Sequence, residues 1–132
     1  MPDVPYRLLA KPGEPALVTL DAYQRQGGYT ALRQALATLS PEQVLDEIRT
    51  ARLRGRGGAG VLTAEKLAIV ARAPEGARYI VCNAYDADPR SLIARTLLSQ
   101  TPHAVIEGMM LAGYAAGATE GFLYVRGDHE VA

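Results

Sequence analysis

At 132 residues and 48% hydrophobic, the chain is long enough for one domain with a modest core and too apolar to remain disordered. Its 14 basic and 14 acidic residues cancel, which excludes a global field that recruits nucleic acid or anionic lipid, so any anion site must be local. One cysteine (Cys82) and two histidines (His103 and His129) exclude an internal disulfide and are too few for an iron–sulfur cluster or metal site within the chain.

Residues 1–20 carry Pro2, Pro5, Pro12 and Pro15 with no steady period, and read as an extended arm with one short strand at A-L-V-T-L. The segment L-D-A-Y-Q-R-Q-G-G reads as a turn or two of helix, capped by Asp21 with Gln24 at the capping-box position and ended by Gly27 and Gly28. A second helix is expected over 30–39, with Leu32, Ala35, Leu36 and Leu39 on one face. The third has the clearest start: Ser40 caps, Pro41 takes the first helical position, and Gln43 completes an S-x-x-Q box ahead of Val44, Leu45 and Ile48.

After a glycine-rich stretch, Thr63 is expected to cap a helix reaching about Ala71. R-Y-I-V-C-N reads as a strand buried on both faces, D-A-D-P-R as a turn, and 91–99 as a helix. Thr101 and Pro102 open a long helix to about Gly117, whose Gly108 and Gly113 imply close helix–sheet packing, and G-F-L-Y-V-R-G is a second buried strand. Strand, helices, strand is a crossover unit of an α/β layer fold. Two apolar strands make a small sheet with unpaired edges, so the chain is expected to be part of a larger domain or to be completed by a partner. His103 reads as a structural hydrogen-bonding group, Cys82 as an inert small hydrophobe, and Met109 and Met110 as core filler. Glu107 reads equally as a buried capping or packing group and as a functional one.

The stretch L-R-G-R-G-G-A-G-V-L-T-A-E-K-L, residues 53–67, satisfies G-x-G-x-x-G through Gly55, Gly57 and Gly60. A capped helix precedes it where the dinucleotide fingerprint needs a strand, and no Gly-Lys-Ser/Thr follows as a P-loop requires. An anion cradle remains open: glycines let successive N–H groups converge, a following helix start adds its positive end, and Arg54, Arg56 and Lys66 offer charge. A mobile interhelical turn with solvated arginines is equally compatible with these residues.

R-L-R-G-R-G-G-A-G, Lys66, Y-I-V-C-N-A, P-H-A-V-I-E-G-M and Y-V-R-G, with the upstream G-G-Y-T-A-L-R-Q-A-L and S-P-E-Q-V-L-D-E-I, closely resemble the flavin-binding subunit of NADH dehydrogenases. The resemblance spans about 27–127 and implies an α/β fold: a partial Rossmann-like layer with few parallel strands, helices around it and a helical lead-in. It divides the chain into an arm and short helix (1–26) and the N-terminal half of an FMN-binding domain (27–132).

The resemblance also implies FMN and NADH as cofactors, with hydride passing from NADH to FMN in an NADH:quinone or other acceptor oxidoreductase. It matches Gly55, Arg56, Gly57 and Gly58 to the phosphate loop, Lys66 to a lysine near the flavin, and Asn83 to an asparagine that contacts FMN. Asp86 and Asp88 stand for the family's two glutamates, with Asp88 as a nicotinamide-nucleotide contact. Against the family's pattern, Val61 replaces a phenylalanine that helps stack the nicotinamide nucleotide, Tyr85 an aspartate and Arg90 a glycine. Other subunits of an NADH dehydrogenase-type complex are the implied partners, and this chain alone is not expected to complete the electron transfer. The alternative is a divergent non-catalytic fragment or structural subunit of such a complex. No signal peptide is evident and the apolar run M-M-L-A-G-Y-A-A-G-A is too short to span a bilayer. The expected location is cytoplasmic, peripheral to a membrane only through partners, with no direct membrane insertion.

Overall fold

A computed structural model describes residues 15–88 and 90–127. The expected arm up to residue 14 and His129 lie outside them. Helices α1 (Leu20–Arg25), α2 (Thr30–Thr38), α3 (Pro41–Thr50) and α4 (Thr63–Ala71) precede strand β1 (Tyr79–Ala84); α5 (Ile93–Gln100), α6 (Pro102–Ala116) and β2 (Glu120–Val125) follow. The expected strand over 16–20 does not form; instead the Leu17 N–H donates to the carbonyl of Gln100 at 2.7 Å, and Leu20 opens α1.

The helix starts show which residues hold the ends. Thr19 caps α1, its hydroxyl accepting from the Ala22 amide, so Asp21 lies inside the first turn and is not the cap. At α3 the Ser40–Gln43 capping box forms with both reciprocal bonds, and Pro41 sits at the first turn as expected. Helix α4 has Leu62 as its cap residue with no side-chain bond, so Thr63 belongs to the helix and does not cap it.

The main core lies between helices: Ala35, Val44, Leu45, Ala68 and Ala115 are buried together, with Leu39, Ile48, Leu67, Leu111 and Tyr114 packed around them. Burying a leucine or valine side chain in such a cluster stabilises by roughly 1.5–3 kcal/mol. The Tyr114 hydroxyl adds a bond to the Leu39 carbonyl at 2.8 Å, tying α6 to the end of α2. Leu36 and Met110, expected inside, are about half exposed.

Strands β1 and β2 pair in parallel, from Tyr79 opposite Glu120 to Ala84 opposite Val125, across the α5–α6 crossover. Helix α6 lies on one face. A Cβ at Gly113 would stand 3.7 Å from Cγ1 of Ile80, and one at Gly121 3.2 Å from Cε of Met109, so close helix–sheet packing holds at these glycines. Gly108 has open space beside it, and the packing argument does not extend to it. The other face carries Tyr79, Val81, Phe122 and Tyr124, all exposed, which corrects the expectation of strands buried on both faces. An apolar run identifies a strand, but a second layer must cover it to bury both faces, and none does among the described residues.

Candidate functional site

Beyond α3 the backbone reverses at Arg52 (φ 52°), and residues 53–63 form a loop closed at its base. The Gly55 amide donates to Val61 O at 2.9 Å, the Thr63 amide to Leu53 O at 2.8 Å, and Arg54 Nη1 to Gly60 O at 2.8 Å. Arg54 therefore braces the loop from within. The tip is open: the amides of Arg56, Gly57, Gly58 and Ala59 have no partner among the described residues. Gly58 holds φ 106°, a backbone region costly to side chains with a Cβ, and a Cβ there or at Gly57 would meet nothing within 4 Å. A closed base with an unpaired, sterically open tip leaves these four amides available to an anion.

Arg56 and Gly57 overhang a cavity of about 690 Å³ at the carboxyl end of β1. Its walls include Cys82, Asn83 and Ala84 from β1, Asp86, Ala87, Asp88 and Ser91 from the following turn, and Ile93, Ala94, Leu97, Leu98 and Val105 from α5 and α6. This is the crevice position where open α/β sheets bind ligands. Polar groups rim it and aliphatic side chains floor it, the usual composition of a small-molecule site.

The turn after β1 is held by its own acids. Asn83 Oδ1 accepts from the Tyr85 amide at 3.1 Å. Asp86, at φ 51°, accepts from the Ser91 hydroxyl (2.9 Å) and from the amides of Ala94 (3.0 Å) and Arg95 (3.2 Å). It thus caps α5 from a distance, and the positive end of that helix is directed at Asp86. Asp88 Oδ1 accepts from the Arg90 amide at 2.9 Å, and its carboxylate stays exposed at the rim.

The structure thus gathers Arg56, Gly57, Asn83, Asp86 and Asp88 around one cavity. Gly55 and Gly58 sit on the same loop outside its lining, and Lys66 is exposed on the first turn of α4. Thr63, at the start of α4, borders a separate apolar groove of about 550 Å³ between α2, α3, α4 and α6, so that helix start does not join the loop tip at the cavity. Tyr85 leaves the cavity open: its ring stacks on Tyr124 at a centroid distance of 5.3 Å. Burial pushes the Cys82 thiol above its ordinary value, as expected of an inert cysteine. Sequence reasoning misses the aliphatic floor, although Ala94, Leu97 and Leu98 at helical spacing carry the signal.

Glu107 lies in a second polar cluster. It is buried, and its carboxylate accepts from the Tyr23 hydroxyl (2.6 Å), the Tyr29 amide (3.0 Å) and the Leu32 amide (3.2 Å). Tyr29 O–H and Nδ1 of His103 are 3.0 Å apart, and the Tyr23 ring stacks on His103. Glu107 is a structural clamp that holds the start of α2 against α6.

Residues 48–132 match the Nuo51 FMN-binding domain family. The chain is 39% identical over 122 residues to the NADH-quinone oxidoreductase F subunit of Aquifex aeolicus, covering 92% of this chain and 28% of that protein. It is 36% identical to the Escherichia coli counterpart (85% of this chain, 25% of that one). It is 40% identical to the NADP-reducing hydrogenase subunit HndC of Solidesulfovibrio fructosivorans (86% and 23%). Among solved structures, an NAD+-reducing [NiFe]-hydrogenase superposes with a TM-score of 0.63 at 38% identity, over 66% of this chain and 15% of that one. The chain therefore spans about a quarter of the length of the curated relatives it matches. Among the described residues no helix is long and apolar enough to cross a membrane, and no cluster of metal-ligating side chains occurs.

Proposed function

The chain belongs to the Nuo51 FMN-binding domain family, and from that membership we propose that it is the FMN- and NADH-binding portion of an NADH:acceptor oxidoreductase, working with other subunits of such a complex. The observation that carries the reading is the loop tip. Four consecutive amides from Arg56 to Ala59 lack partners among the described residues, and the Arg56 side of that tip borders the cavity beyond β1. A phosphate bound there would accept from these N–H groups and pair with the Arg56 guanidinium.

In this reading Gly55 closes the loop, Gly57 and Gly58 let the phosphate approach, and Asn83 at the strand end meets the flavin. Asp88, exposed at the rim, contacts the nicotinamide nucleotide, and Lys66 meets the ligand from outside the cavity. Asp86 acts at one remove, holding α5 and thereby the cavity wall. The aliphatic floor of Leu97, Leu98 and Val105 excludes water from beneath the ligand. Bound FMN would supply hydride acceptance and onward electron release, chemistry that no side chain here offers. The site lies in the soluble part of its complex, which meets a membrane only through partners.

Adding FMN to the purified chain tests this. Saturable change in flavin fluorescence and absorbance at micromolar protein, weakened by Arg56→Ala, is the expected result. Unchanged flavin signals would reject independent flavin binding. A second reading, a non-catalytic structural subunit, is favoured by one observation: the Asp86 carboxylate is committed to α5. That reading predicts no flavin response together with stable co-purification in a multisubunit complex.

A further inference from the structure

We propose that Tyr85 and Tyr124 form an aromatic platform, at the carboxyl ends of β1 and β2, on which the isoalloxazine ring of a bound flavin stacks. The inference rests on the flavin reading above, but it concerns the ring and not the phosphate, so the two can fail separately.

The two rings lie 5.3 Å apart at 11°, a near-parallel stack. They are also 40% and 57% exposed. A stacked pair covers one face of each ring and leaves the outer faces for a third planar group, and such contacts stabilise beyond the area they bury.

Their place in the fold is the ligand-binding end of the sheet. Tyr124 is opposite Asn83 in the register, so the pair stands at the carboxyl ends of both parallel strands, where ligands of such sheets bind. Tyr85 is flanked by Ala84 and Asp86, which both border the cavity under the glycine loop. The Tyr85 amide donates to Asn83 Oδ1 in this turn, and the Tyr85 ring lies outside the cavity lining, stacked on Tyr124. A ligand that fills the cavity borders the two residues that flank Tyr85 in the chain, next to the aromatic pair.

The sheet also carries its own control. Tyr79 and Phe122 are exposed on the same face but stand farther from the carboxyl ends, Tyr79 at the start of β1 and Phe122 opposite Val81, with rings tilted by 51° at 5.8 Å. An exposed aromatic face alone would make all these residues equivalent. The platform makes only Tyr85 and Tyr124 matter.

The test titrates FMN and riboflavin into the 132-residue chain and its Tyr85→Leu, Tyr124→Leu, Tyr85→Phe and Tyr79→Leu variants, following flavin fluorescence and affinity. A stacked phenol quenches flavin emission. Tyr85→Leu and Tyr124→Leu should weaken binding of both flavins about three- to ten-fold and restore emission of the bound ring. Tyr85→Phe should keep the affinity while recovering emission, and Tyr79→Leu should behave as the parent. If the leucine variants unfold, the Tyr85→Phe emission change decides. Parental affinity and quenching in all variants would overturn the platform while leaving the phosphate reading intact. Equal affinity for FMN and riboflavin, still dependent on Tyr85, would uphold the platform and reject the phosphate loop. Binding of neither flavin would overturn both.

Discussion

The hydroxyl of Tyr23 donates to Oε2 of Glu107 at 2.6 Å, joining positions 84 residues apart. The same carboxylate takes the Tyr29 and Leu32 amides, so one buried side chain on α6 caps α2 and fastens α1. Glu107→Ala strands three donors in a buried setting. It should cost roughly 2–4 kcal/mol, measured as a loss of thermal and denaturant stability with the α1–α2 amides exchanging first.

The clamp also sets a pH limit. Burial pushes the Glu107 carboxyl up, but the bonds from Tyr23, Tyr29 and Leu32 and the nearby Arg33 charge outweigh it and hold the group below its ordinary value. The unfolded chain then binds that proton more readily than the folded one. The clamp's contribution is complete above the ordinary glutamate value of about 4.3 and is lost as pH falls through the lower folded value. Acid unfolding of the parent should therefore steepen below about pH 4, and Glu107→Gln should remove that added steepness.

Gly28 lies under the same clamp. A Cβ there would overlap the Tyr23 ring. Gly28→Ala should push that ring off Glu107 and destabilise by about 1–3 kcal/mol, and combining it with Tyr23→Leu should recover part of the loss.

Asp86→Ala tests whether this aspartate is a cap. Removing a side-chain cap costs about 1 kcal/mol, and hydrogen exchange should quicken at the Ala94 and Arg95 amides while α3 is unchanged. Asp86→Asn, whose amide oxygen still accepts, should retain most of the protection. Equal exchange in all three proteins would assign Asp86 no structural role.

Local signals are legible where their partners are local. Ser40 and Gln43 are three residues apart, and their box is readable with no knowledge of the fold. The start of α2 gives no such sign, because its cap is Glu107, 75 positions from Leu32. The Asp86 cap of Ala94 spans eight residues and an irregular turn, so the sequence shows an acidic motif but not where its oxygens are directed. Strand identity is legible at Y-I-V-C-N. Burial is not, since exposure of Val81 and Phe122 depends on whether another layer covers them. For the candidate site, family resemblance points to the loop and Asn83, whereas the aliphatic floor and the Tyr85–Tyr124 stack arise only when β1, β2, α5 and α6 assemble.

The central claim is that the amides at the tip of the glycine loop hold a flavin's phosphate. Amide chemical-shift mapping on the ¹⁵N-labelled chain, with FMN and then riboflavin, measures it directly. FMN should move the Arg56, Gly57, Gly58 and Ala59 resonances downfield, and riboflavin should leave them in place. Loop amides that stay fixed in saturating FMN, while resonances elsewhere shift, would contradict it.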